Sequence, residues 1–86
     1  MKVVVQEVEG EGLESLMGKR ITLMCSNYFY TGVLAGVNTT CVKLTDPAIV
    51  YDTGSWSKEK YEIEEALPTT IYVQTAAIEA FGELNA

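Results

Sequence analysis

The 86-residue sequence contains no histidine, only two cysteines and a single arginine. The missing histidine excludes a Ser-His-Asp triad and any histidine-ligated zinc. Cys25 and Cys41 are too few thiols for a cysteine zinc site in one chain. The sequence has two acidic clusters, and neither has the ligand spacing of a calcium loop: Glu7, Glu9, Glu11 and Glu14 form the first, and Glu62, Glu64 and Glu65 the second. We therefore expect a protein that is not an enzyme, with no catalytic residue, no metal and no cofactor.

Positive charge is also scarce. Six lysines and arginines face twelve aspartates and glutamates, which gives a net charge of −6. Because nucleic-acid and membrane-surface binders carry a basic footprint, we expect no DNA or membrane binding and at most weak RNA binding. No apolar run approaches the roughly 20 residues that cross a bilayer, and no signal peptide is evident. The sequence predicts a cytoplasmic, intracellular protein with reduced thiols.

What is present fits one globular domain over residues 1–86. Hydrophobic residues make up 48% of the chain, which is typical of a folded protein. A chain this short buries a smaller fraction of its surface than a larger domain, about 63%, and its core is marginal. We therefore expect that it gains stability from a disulfide, a metal or a partner subunit.

Alternating apolar residues predict several short strands. One covers residues 19–26, with Ile21, Leu23 and Cys25 on one face and Thr22, Met24 and Ser26 on the other. A longer strand follows over 28–37, where Gly32 and Gly36 indicate sharp bending. Residues 40–45 alternate again and predict a third strand, which should end at Asp46-Pro47. Two further strands are predicted over residues 48–51 and 69–74.

Two stretches are harder to assign. Residues 1–12 begin with the valine-rich segment 2–8, which predicts an N-terminal strand or extended arm. Leu13 to Met17 predicts a short helix ending at Gly18. Residues 52–68 form a variable excursion in which helical and strand spacing fit equally well. We interpret it as irregular with some helical turn, with Trp56 packing beneath it or against another subunit.

This order of elements, with two local motifs, resembles the Sm-like family. The first motif of that family reads Gly-x-Leu-x-Gly-hydrophobic-Asp, and the second reads hydrophobic-x-Ile-Arg-Gly-x-x-Ile. The matching positions here are Gly32, Leu34, Gly36, Val37 and Asn38 for the first motif, and Val73, Gln74, Thr75 and Ile78 for the second. The resemblance implies a mostly β fold: a small, strongly bent five-stranded SH3-like barrel with a short N-terminal helix.

The resemblance also implies a pore lined by two loops. Their counterparts in this sequence are Asn38, Thr39, Thr40, Gln74 and Thr75. The Met-Asn pair and the Arg-Gly pair with which the family holds RNA are both absent, so binding of RNA through the usual pocket is in doubt. The alternative is that these are ordinary turn and strand residues.

The family assembles by edge-to-edge pairing of strands, which implies a homo-oligomeric ring of roughly five to seven subunits. The segments expected at the subunit interface are apolar and uncharged: Ala48, Ile49, Val50, Tyr51, Ile71, Tyr72 and Val73. Tyr28, Phe29, Tyr30 and Tyr72 form an aromatic set that fits base stacking or, better, core and subunit contacts. Two functions remain open: a ring that binds RNA or a protein partner weakly, and a structural assembly module without a nucleic-acid ligand.

Overall fold

The computed structural model describes residues 10–56 and 60–84. Six strands dominate this part of the chain, so the expectation of a mostly β fold is confirmed. The strands are β1 (Arg20–Cys25), β2 (Phe29–Val37), β3 (Cys41–Asp52), β4 (Ile63–Ala66), β5 (Ile71–Gln74) and β6 (Ile78–Gly82), and two 3-10 helices span Leu13–Leu16 and Thr75–Ala77. Within the described ranges, neither helix has the length or the apolar character needed to cross a membrane.

All strand pairs are antiparallel and belong to one sheet with the order β4-β3-β2-β1-β6. β5 lies on the same side of β3 as β4 and pairs with its first half. The expectation of five strands is wrong: the strands predicted over 40–45 and 48–51 form one strand, β3, and β4 and β6 are additional. Strand pairing does not close the described sheet into a continuous ring of strands.

The N-terminal helix forms as a single 3-10 segment, Leu13–Leu16. Gly18 follows with a φ of 83°, a left-handed conformation that suits glycine at the end of a helical turn. The strand or arm expected over residues 2–8 lies outside the described residues.

β3 runs through the expected break at Asp46-Pro47 as one strand of 12 residues. Asp46 adopts a φ of 47°, a left-handed conformation that aspartate tolerates better than most residues. The pairing with β2 shifts register there, as in a β-bulge. The carbonyl of Pro47 still accepts a hydrogen bond from the amide of Leu67 at 2.8 Å. The sequence prediction of two strands is wrong because the bulge accommodates the proline without ending the pairing.

One face of the sheet, called here the core face, carries the main hydrophobic core. Its buried side chains are Ile21, Leu23, Cys25, Leu34, Val42, Leu44 and Val73. The alternation in β1 and β3 places these residues on one side, as predicted. Both cysteines are free: Cys25 is buried and Cys41 is half-buried.

The opposite face carries a second buried group, called here the outer cluster, which the alternation did not predict. Its members are Thr22, Thr31, Ala48, Val50 and Tyr61. Thr22, Thr31 and Ala48 stand beside one another across β1, β2 and β3. Tyr61 comes from the excursion and covers Thr22, and the ring of Trp56 meets that of Tyr61 edge-on at 6.0 Å. The excursion therefore serves as a cover for this face.

Candidate functional site

The two loops that the resemblance assigns to a pore do come together. The amide of Thr75 donates to the carbonyl of Thr40 at 2.9 Å, and its hydroxyl donates to the carbonyl of Thr39 at 3.0 Å. These bonds continue the pairing of β3 with β5, in which Cys41 faces Gln74. The five predicted residues therefore form one polar surface at this end of the sheet.

Asn38 has a structural task within this surface. Its side-chain oxygen accepts hydrogen bonds from the amides of Thr40 and Cys41 and from the Thr40 hydroxyl, at 2.8 to 2.9 Å. This geometry is an asparagine-stabilised turn. The oxygen is thus engaged, and the groups left for a ligand are the Asn38 NH2, the Thr39 hydroxyl and the exposed amide of Gln74.

The free edge of β5 can be read from the hydrogen-bond alternation. Antiparallel pairs alternate between bonded and non-bonded residues. Because Thr75 bonds to Thr40, the bonded pairs on β5 are Val73 with Val42 and Ile71 with Leu44. The backbone N–H and C=O groups of Tyr72 therefore point away from β3, and no described strand pairs with them.

The same argument applies to β6 at the other end of the sheet. The amide of Cys25 donates to the carbonyl of Tyr28, so Leu23 bonds to β2 while Thr22 and Met24 turn their backbone groups toward β6. Phe81 lies opposite Leu23, so its own backbone groups point away from β1. The free edges of β5 and β6 thus each present one exposed aromatic residue, Tyr72 at 63% and Phe81 at 41% exposure.

Strand pairing bears on the edge expected over residues 48–51. Ala48, Ile49 and Val50 pair with β2 on one side and with β4 on the other, so they do not form a free edge. The sequence predicts an edge here because its pattern does not reveal β4. Residues 71–73 do lie on an outer strand, and their contact with another subunit stays a prediction.

A pocket of about 450 Å³ opens between the β1–β2 turn and β5. It extends the core face, and its apolar lining includes Cys25, Ile49, Ile71 and Val73. Asn27 and Gln74 add amide groups. Its volume is in the range of small-molecule sites. Burial and, to a smaller extent, the carboxylate of Glu79 raise the pKa of the Cys25 thiol. A raised thiol pKa favours the protonated form, which is a poor nucleophile.

Tyrosines surround this pocket. Tyr28, Tyr30 and Tyr72 line it. The Tyr28 ring meets the Tyr30 ring at 6.4 Å and 64°, and the Tyr51 ring at 6.1 Å and 88°. The Tyr51 hydroxyl donates to a carboxylate oxygen of Glu65 at 3.1 Å. This hydrogen bond is the largest cause of a raised Tyr51 pKa, followed by desolvation and the Glu65 charge.

The sequence placed three of these tyrosines in one aromatic set but missed Tyr51 and Glu65 as neighbours. Phe29, also in that set, alternates to the outer face and takes no part in the pocket. The cross-strand positions of Tyr28 and Tyr51, and of Ile49 and Glu65, depend on strand register. No local signal in the sequence specifies that register.

No protein-family model, no curated protein and no solved structure matches this chain. Across residues 10–56 and 60–84, no three metal-ligating side chains are grouped as they would be at a metal site. The strand edges, the loop surface and the pocket are therefore the features of the described residues that bear on function.

Proposed function

We propose that this protein is a non-enzymatic Sm-like subunit that assembles with its own copies into a ring of roughly five to seven members. In this assembly the outer edge of β5 in one subunit pairs with the outer edge of β6 in the next. The bent sheet of each subunit then acts as the five-stranded barrel of the family, with β4 and β5 together standing for one strand. RNA or a protein partner is at most a weak ligand of the loop surface.

The observation that carries the proposal is the pair of outward-facing edges. Unpaired N–H and C=O groups on an apolar edge favour pairing with another chain. β5 and β6 have four and five residues, and each presents an exposed aromatic side chain at its free edge. Lysine or proline, which commonly protects an edge, occurs in neither strand. Because the two edges differ, a contact between them is head-to-tail and propagates until a ring closes.

The assembly is tested by blocking one edge at a time. Tyr72→Pro removes the outward N–H of β5, and Phe81→Pro removes that of β6; proline is tolerated at such edge positions. Native mass spectrometry should show rings for the parent and monomers for each variant. An equimolar mixture of the two variants retains one intact edge of each kind and should form dimers but no ring.

Tyr72→Leu is the matched control because it removes the aromatic side chain but keeps the backbone amide. This variant should still assemble into rings, although less stable ones. Circular dichroism of each proline variant must retain the β spectrum of the parent. A parent that stays monomeric at tens of micromolar, or a mixture that yields no dimer from folded variants, would contradict the proposed contact.

A second function, an assembly module without any nucleic-acid ligand, is favoured by one observation. The side-chain oxygen of Asn38, the residue at the family's first loop, is occupied by its own turn. This module would show the same rings but no response of the loop surface to RNA. The oligonucleotide experiment described in the Discussion separates the two functions.

A further inference from the structure

We propose that the pocket between the β1–β2 turn and β5 binds a small quaternary ammonium ion of the choline type. The lining of the pocket comes from one chain, so this proposal goes beyond ring assembly. Because β5 forms one wall and also carries an edge of the proposed ring, the titration is run on the Phe81→Pro variant as well, whose β5 edge stays unpaired. Three features carry it: tyrosine rings at different angles, a nearby carboxylate with no lysine or arginine in the lining, and an apolar floor.

The tyrosine rings supply the first feature. Tyr28 and Tyr30 line the pocket, and Tyr51, outside the lining, contacts Tyr28 at nearly a right angle. A tyrosine face attracts a cation through its electron-rich π system, and rings at steep mutual angles let a rounded ammonium group contact more than one of them. Tyr28 and Tyr51 are about half exposed, so a ligand reaches them without unfolding.

A carboxylate lies close to the tyrosine wall of the pocket. Glu65 accepts a hydrogen bond from the hydroxyl of Tyr51, whose ring contacts that of the lining residue Tyr28. Lys43 is paired with Tyr72 across β3 and β5, but it does not line the pocket. Lysine and arginine are absent from that lining. A protein of net charge −6 adds a field of the same sign. An anionic ligand would be repelled here, whereas a cation is complementary.

The floor explains why the cation should be alkylated. Cys25, Ile49 and Val73 are apolar and continue the core. A metal ion or a bare ammonium would lose its hydration against these groups with little return. Methyl groups on nitrogen lower that desolvation cost and bury apolar surface. A quaternary ammonium ion therefore fits both the apolar floor of the pocket and its acidic surroundings.

The test compares choline with 3,3-dimethyl-1-butanol, a neutral compound of the same shape in which carbon replaces nitrogen. Both are titrated into the isotope-labelled parent protein and followed by amide chemical shifts. Choline should shift residues 25–30 and 71–77, with a dissociation constant roughly tenfold lower than that of the alcohol. Equal binding of the two compounds, or no binding of choline, would overturn the proposal. Uridine monophosphate serves as the anionic probe, and its binding more tightly than choline in this pocket would overturn the proposal too.

Variants locate the contributions. Tyr28→Leu keeps an apolar side chain at an exposed position but removes the π face, so choline affinity should fall roughly tenfold. Glu65→Gln should weaken choline binding roughly threefold. Glu64→Gln is its matched control: it changes net charge equally, but Glu64 alternates to the other face of β4, opposite Val50 of the outer cluster. Equal losses of choline affinity in the two variants would show a general charge effect and refute a site beside Glu65.

Discussion

The hydroxyl groups of Thr22 and Tyr61 hydrogen bond to each other in the outer cluster, although 39 residues separate them. Both also lie within hydrogen-bond reach of the carbonyl of Leu84, Thr22 at 3.0 Å and Tyr61 at 2.5 Å. Two hydroxyl protons can satisfy two of these three contacts at once. The cluster thus ties the excursion, β1 and the end of the chain into one unit.

Removing the Tyr61 hydroxyl should destabilise the fold. Tyr61→Phe keeps the ring packed but removes a buried hydrogen-bonding group, and we expect a loss of about 1–2 kcal/mol in the free energy of unfolding. Tyr51→Phe is the matched control, because the Tyr51 hydroxyl bonds to Glu65 at the surface; its effect should stay below about 0.5 kcal/mol. Urea unfolding at one fixed protein concentration measures both, since assembly also affects stability. Equal effects would contradict a structural role for the cluster.

The raised pKa of Tyr61 predicts that the folded protein loses stability at alkaline pH. Burial is the largest influence on the Tyr61 pKa and raises it above its usual 10.0, against the opposing effect of the Thr22 hydrogen bond. A raised folded-state pKa means that the folded protein holds the proton more tightly than the unfolded chain. The associated stability is fully present below pH 10 and is lost as pH rises through the folded pKa.

Urea unfolding in steps from pH 8 upward measures this effect. We expect the free energy of unfolding to fall above pH 10 in the parent and to fall less steeply in Tyr61→Phe. The raised pKa of Cys25 acts with the same sign from about pH 9, but it is present in both proteins and cancels in the comparison. Parallel pH profiles would show that Tyr61 titrates as it does in the unfolded chain.

Alternation predicted the core face because Ile21, Leu23 and Cys25 repeat with the period of a strand. It did not predict the outer cluster, because Thr22 looks like an exposed residue until Tyr61 covers it. The short β4 was also concealed: its residues Ile63–Ala66 are all exposed, so no buried face marks it in the sequence. Register and coverage are tertiary properties, and local pattern does not contain them.

Gly32 and Gly36 look equivalent in the sequence, but the space beside their Cα atoms differs in the structure. A Cβ at Gly32 would lie 3.1 Å from the Leu44 Cβ, 3.1 Å from the Thr45 carbonyl oxygen and 3.3 Å from the Pro47 Cα. A Cβ at Gly36 would meet only Lys43, at 3.6 Å or more. The close approach at Gly32 belongs to the bulge that lets β3 pass through Asp46-Pro47.

Gly32→Ala should therefore destabilise the protein by about 1–3 kcal/mol, because the backbone of β3 must move to admit a methyl group. Gly36→Ala is the matched control and should change the free energy of unfolding by less than about 0.5 kcal/mol. Thermal or urea unfolding distinguishes the two. Similar values for both variants would mean that the bulge at Pro47 shifts freely, contrary to the packing described.

The loop surface was the best-predicted part of the candidate site. The Sm-like resemblance grouped Asn38 to Thr40 with Gln74 and Thr75, and hydrogen bonds join those two loops. The sequence did not predict the pocket: it grouped Tyr28, Tyr30 and Tyr72 only as part of an aromatic set, and Ile49 reaches the pocket from a third strand. Which side chains share a cavity follows from pairing across three strands, which motif comparison does not specify.

RNA should bind the parent weakly, with dissociation constants no tighter than micromolar for oligo-U and oligo-A at moderate salt. The loops offer amides and hydroxyls but no cation, and Asn38 has already engaged its side-chain oxygen. Fluorescence anisotropy with labelled oligonucleotides measures the affinity. No measurable binding by the folded protein would agree with the assembly module, whereas weak binding that Gln74→Ala reduces would favour the RNA-binding form.

Restoring the missing arginine provides the sharper measurement. Gln74→Arg combined with Thr75→Gly recreates the family's Arg-Gly pair, whose planar guanidinium can stack on a base as well as supply charge. We expect affinity for oligo-U to rise roughly tenfold. Gln74→Lys with Thr75→Gly carries the same charge without the planar group and should gain less. If instead the parent binds a short oligonucleotide tightly and selectively, and Gln74→Ala abolishes that binding, then the amides of this surface recognise RNA without arginine. That result would refute weak binding.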